Sequence, residues 1–188
     1  MTDTPIFERD GRAIPYVDEG HGDGPSLVLI AEPGRHAVLA SIAHILAGEG
    51  FRVLTVGART GAAEASRDDL VADTVAVMDH VGLRGGWIGG HGTGGTVARV
   101  LTAAHPDRAL GVLLLGVEDT DAAAAPAIPV LVVQGADDAD MPPANGEALR
   151  ASMPERASVV TIAGGGHLFP VTHPVDTAFA IEDYLAWD

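Results

Sequence analysis

Two periodicities alternate along the chain. Residues 6 to 18 alternate loosely between apolar and polar positions around Asp10-Gly11, a pair suited to a tight hairpin turn, which predicts two short antiparallel strands. A Gly/Asp-rich loop runs from His21 to Pro25. Leu27-Val28-Leu29-Ile30-Ala31 is then apolar at every position, as a parallel strand covered on both faces must be. Pro33-Gly34 breaks it. The period becomes helical from about Val38 to Ala47, ends at Gly48 and Gly50, and yields to a strand from Arg52 to Val56.

The same unit recurs. Leu70, Val71, Thr74, Val75, Met78 and Val81 share one face of a helix expected over 68–81, with Asp68 and Asp69 at its positive end and Gly82 at its stop. Trp87-Ile88-Gly89 is a short strand, and Thr93 to Ala104 a helix that stops before Pro106. Further strands are expected over 109–116, 129–134 and 159–163, and a closing helix over 174–187. Ala122 to Ala125 is read as a short helix or loop. Strands alternating with helices over short connections imply an α/β fold. Its sheet is mostly parallel and twisted, with helices on both faces and the hairpin at one edge. No repeat, low-complexity segment or linker divides the chain, so residues 1–188 are expected to form one domain.

Composition narrows the classes of function. Hydrophobic residues make up 47% of the chain and aromatics only 4%, so the core must come from Ala, Val, Leu and Ile. A formal charge of −15 argues against nucleic acid and anionic membrane as partners, leaving a small-molecule substrate or ligand. No cysteine is present, which removes disulfides, thiol catalysis and thiolate metal sites together. The first ten residues are polar and acidic, without the basic segment and apolar run of a secretory leader. No apolar stretch approaches the roughly 18 residues of a membrane helix. A cytoplasmic protein is expected, and the abundance of Ala, Gly, Val and Asp suits a GC-rich bacterial source. Trp87 and Trp187 are too few to argue an interface from, so no oligomeric state is assigned.

Trp87-Ile88-Gly89-Gly90-His91-Gly92-Thr93-Gly94-Gly95, between a strand and a helix, resembles the nucleophile elbow of the α/β-hydrolase fold superfamily. The rest of the chain follows in the family's order. Gly135-Ala136-Asp137-Asp138 resembles the loop that carries the acid, and Gly164-Gly165-Gly166-His167 the loop that carries the catalytic histidine. His105-Pro106, His173-Pro174 and the Gly57-Ala58-Arg59-Thr60-Gly61 turn also match positions common in the family. The resemblance implies that Asp138 orients His167, fixes its tautomer and stabilises its protonated form. Asp137 is the neighbouring candidate for the acid. The Thr93 N–H and the start of its helix would form an anion site.

Three departures bear on activity. The nucleophile position is Gly92, which has no side chain to acylate, and in one serine protease losing the serine costs about 10⁶ in turnover. The oxyanion loop, usually His-Gly-x, reads Ala31-Glu32-Pro33. Aligned without a gap it puts the donor on Pro33, which has no N–H; a one-residue gap puts Glu32 there, bringing a carboxylate near a site meant for an anion. Val117 to Ile128 leaves only about twelve residues where most relatives insert a helical cap, so no lid is expected. One bland explanation is a serine replaced to trap substrate. A single change would leave the oxyanion loop untouched, so two losses in separate segments favour natural divergence.

The resemblance permits lyases and cofactor-independent oxygenases as well as hydrolases. The expected enzyme uses the Asp138–His167 dyad as general base on a small carbonyl-containing substrate, without cofactor, in elimination, cyclisation, isomerisation or oxygenation. The alternatives are a catalytically inactive ligand-binding protein, with the dyad a relic, and an engineered esterase. Glu32, Pro33, Arg35 and His36 should rim the pocket, with His91 a supporting residue and Arg59, Glu118 and Met141 at its edge. No His/Asp/Glu set has metal-ligand spacing, and no G-x-G-x-x-G sits where a dinucleotide needs it.

Overall fold

The computed structural model describes residues 4–21, 24–60, 65–122 and 127–186. Strands β1 (Ile6–Arg9) and β2 (Arg12–Glu19) form the N-terminal hairpin. Its turn residues Asp10 and Gly11 have φ of 51° and 74°, the left-handed pair that a two-residue hairpin of matching twist requires. The remaining strands are β3 (Ser26–Ile30), β4 (Arg52–Val56), β5 (Gly86–His91), β6 (Ala109–Leu115), β7 (Val130–Gly135) and β8 (Ala157–Ile162). They lie in the order β1-β2-β4-β3-β5-β6-β7-β8, parallel from β4 onward, with the hairpin antiparallel at one edge.

Alternate residues of each parallel strand face opposite helical layers, which is why these strands are apolar at every position. Leu27, Leu29, Val53, Leu113 and Leu131 pack with helices α1 (Ala40–Gly48) and α6 (Pro174–Leu185). Val28, Ile30, Leu54 and Ile88 face α2 (Arg67–His80) and α3 (Thr93–Ala104). Val112, Val130 and Val132 pack beside α4 (Pro143–Ser152). Each such aliphatic side chain, fully buried, stabilises the fold by about 1.5–3 kcal/mol.

Two helices go beyond the sequence pattern: α4 and the single turn α5 (Phe169–Thr172). Only Gly146 of α4 is buried, so it carries little apolar periodicity to read. A 3-10 turn over His36–Leu39 precedes α1. Gly61 of the expected turn, Ala123 to Ala125 of the expected helix or loop, and Trp187 lie outside the described residues. Among the described residues no helix is long and apolar enough to cross a membrane.

Candidate active site

The C-terminal ends of the parallel strands converge on one place, as open α/β sheets do at their ligand sites. Glu32 follows β3, Gly92 follows β5, Asp138 follows β7 and His167 follows β8. The chain turns sharply at Gly92, with φ 54° and ψ −120°, before α3 begins. Glycine tolerates that backbone, and its neighbours need to be glycine for a second reason. A Cβ on Gly90 would stand 2.5 Å from the carbonyl carbon of Gly94, and one on Gly94 would collide with the Ile30 carbonyl. The absent side chains let α3 start directly against β3 and β5.

His167 lies where the sequence puts it. Its Nδ1 stands 3.2 Å from Asp138 Oδ2, and its side chain is 11% exposed. Asp138 is buried, and its other oxygen accepts from the backbone N–H groups of Asp140 and Met141 at 3.0 and 2.8 Å. Those donors fix the carboxylate and leave Oδ2 for the imidazole. Asp137 is exposed and makes no such contact.

Glu32 departs furthest from the family's pattern. Its Oε1 accepts from the Thr93 N–H at 3.3 Å, so the anion site at the start of α3 holds a carboxylate of the chain itself. The same oxygen stands where a side chain at position 92 would have to go. A Cβ on Gly92 would collide with Oε1 and lie 2.8 Å from Cδ. Glu32 Oε2 is 3.7 Å from His91 Nδ1, 3.7 Å from His167 Nε2 and 3.5 Å from Arg35 Nε. The His91 imidazole, chiefly, holds the Glu32 carboxyl down at about 2 against the opposing effect of burial, with the Thr93 N–H and the charge of His167 adding to it.

His91 lies against His167. Its Nε2 is 2.8 Å from the His167 carbonyl oxygen, and its ring lies 4.6 Å from the His167 ring. The gap in the alignment thus falls so that Glu32, not Pro33, meets the elbow. Pro33 is exposed. His36 turns toward Gly57. Arg59 is taken up by Asp73 at 2.6 Å, and Glu118 accepts from Thr96 at 2.6 Å. Met141 contributes backbone to Asp138. Spacing along the chain brings no metal-ligand set to notice, yet the sheet gathers Glu32, His91 and His167 with ligand atoms within 4.8 Å of one another.

Strand order, elbow and the acid and histidine loops together define a protein of the α/β-hydrolase class. The chain belongs to the alpha/beta hydrolase family, whose model matches residues 31–169. Its fold is similar to that of a thermophilic esterase from Thermogutta terrifontis, at 19% identity over 97% of each chain with a TM-score of 0.81. It is similar also to an enol-lactonase from Burkholderia xenovorans, at 18% identity over 97% of this chain and 100% of the other, with a TM-score of 0.80. A bacterial membrane phospholipase A shares the fold at 16% identity and a TM-score of 0.84, over 98% of this chain and 86% of the other. No curated protein matches the sequence.

Proposed function

We propose that this chain is an enzyme of the α/β-hydrolase fold that works without an acyl-enzyme, with His167 as general base on a small carbonyl-containing substrate. The observation that carries the reading is the 3.2 Å contact between Asp138 and His167, kept at an elbow that has no nucleophile. An inward carboxylate fixes the Nδ1–H tautomer, so Nε2 is the nitrogen free to take a proton. The positive charge gained there lies between Asp138 and the ionised Glu32. Proton abstraction followed by elimination, cyclisation or isomerisation needs this and no cofactor.

Incubation of the protein with a bacterial metabolite extract, followed by mass spectrometry, tests it. Wild type should convert a metabolite, and His167→Ala should lower the rate by about 10²–10⁴. Capture of a ligand without conversion by either protein overturns the reading in favour of a binding protein. One observation favours that second reading: the Thr93 N–H, the family's oxyanion donor, is already taken by Glu32. The engineered-esterase reading is disfavoured because a serine at position 92 would have to push the Glu32 carboxylate off the Thr93 N–H.

A further inference from the structure

We infer that Glu32, His91 and His167 form a binding site for a divalent transition ion of the zinc class. A backbone carbonyl only accepts, so the His91 nitrogen 2.8 Å from the His167 carbonyl, Nε2, must carry the hydrogen. In the neutral ring Nδ1 then bears a lone pair. That atom is buried with no hydrogen-bond partner, in a residue only 1% exposed. The Asp138 carboxylate likewise places the His167 hydrogen on Nδ1 and the lone pair on Nε2. Both lone pairs face Glu32 Oε2, each from 3.7 Å, while Oε1 is anchored by the Thr93 N–H.

With both imidazoles neutral, three electron-pair donors converge beside the Arg35 guanidinium, and a metal ion entering there takes the place of the proton through which His91 otherwise holds the Glu32 carboxylate. Each imidazole is held at its far nitrogen by a carbonyl or a carboxylate, the outer support that metal-binding histidines use to fix ring and tautomer. Two imidazoles and one carboxylate suit zinc, with three protein ligands leaving a fourth position for water or substrate. Ligands of a tetrahedral zinc stand about 3.3 Å apart, so modest side-chain rotation closes the set. Arg35, whose side chain is half exposed, approaches the same Oε2 at 3.5 Å and would have to give way. The site goes beyond the general-base reading and does not depend on it. His167 Nε2 cannot hold a metal and accept a proton at once, so an ion there would switch the proposed base off.

The test is titration of chelator-stripped protein with Co²⁺, read by the visible absorption of four-coordinate cobalt, then displacement by Zn²⁺. One equivalent should bind. The bands should vanish in Glu32→Gln and in His91→Ala, persist in His44→Ala, an exposed control, and weaken about 10–100-fold in affinity in Asp138→Asn. Absent bands, or bands that survive in Glu32→Gln, overturn the site. Glu32→Gln is near-isosteric and carries the test if His91→Ala fails to fold. Imidazole ¹⁵N spectra of the wild type give a second readout. His91 Nδ1 must shift with Zn²⁺, and shifts confined to exposed histidines overturn the proposal. Turnover by stripped protein without cobalt binding would sink the metal site and spare the base. Cobalt binding by a protein without turnover would do the reverse.

Discussion

At position 92 glycine leaves open the space beyond the turn, and the Glu32 carboxylate occupies that space and accepts from the Thr93 N–H. The two positions depend on each other, and this gives a prediction. Gly92→Ser alone should give no hydrolysis of an aryl ester and no labelling by a fluorophosphonate, because the serine and Glu32 compete for one volume. Gly92→Ser with Glu32→Gly should give weak hydrolysis. Removing the Glu32 side chain does not by itself aim the position-32 N–H at the site as a second donor, and each missing oxyanion donor costs about 10²–10³ in rate. Strong activity in the single variant would show that Glu32 moves aside freely. Asp138, His167 and Gly92 draw notice in the sequence because each sits in a local motif. The meeting of Glu32, His91 and His167 does not, since only the pairing of β3 with β5 and the path of β8 beyond β7 bring them together.

At the scale of elements, what could be read in advance is what local chemistry dictates. The Asp10-Gly11 turn and the fully apolar strands declare themselves, whereas α4 carries Leu149 as its one large aliphatic residue and α5 is one turn long. Helix α2 shows how a start is fixed. Ser66 accepts from the Asp69 N–H at 3.1 Å while the Asp69 carboxylate accepts from the Ser66 N–H at 3.0 Å, a capping box. Ser66→Ala should cost about 1 kcal/mol, or about 2–4 °C in Tm by calorimetry. The hydrogen bond from the Ser66 hydroxyl, chiefly, holds the Asp69 carboxyl below its ordinary value, with the Ser66 N–H and Arg59 assisting. A depressed folded pKa contributes stability that is present at neutral pH and lost as pH falls through the folded value. In Ser66→Ala, NMR titration should find the Asp69 carboxyl moved up toward that ordinary value. Asp73, on the next turn, ties α2 to the loop after β4 through Arg59 at 2.6 Å and to the edge hairpin through Arg12 at 3.2 Å. Asp73→Ala leaves Arg59 with only Asp69 and Arg12 with only Asp10, and the loss should fall at or below the low end of about 3–5 kcal/mol because each guanidinium keeps a partner and Arg12 is partly solvated. Urea denaturation reads it directly.

The whole molecule carries 26 carboxylate residues against 11 basic ones, and every basic residue other than histidine is arginine. Many of those arginines are already committed. Arg12, Arg52, Arg59, Arg108 and Arg150 each lie within 3.5 Å of a carboxylate oxygen. The surplus of negative charge is therefore spread over the surface with few cations left to answer it, and self-repulsion works against the compact state. Salt shortens the reach of that repulsion, from a Debye length of about 30 Å at 0.01 M to about 10 Å at 0.1 M. Thermal unfolding in sodium chloride should show Tm rising across this range and flattening above it. The opposite sign would mean that the surface ion pairs outweigh the net charge. The same field has a bearing on the site, since a chain of this charge concentrates small cations around itself and repels anions. A cluster of lone pairs at the ends of the sheet lies where cations are enriched. Repeating the cobalt titration at high salt should thus weaken apparent affinity modestly, through loss of the long-range field, while the spectrum of the bound ion stays the same. A spectrum that disappears with salt would assign the cobalt to the acidic surface instead.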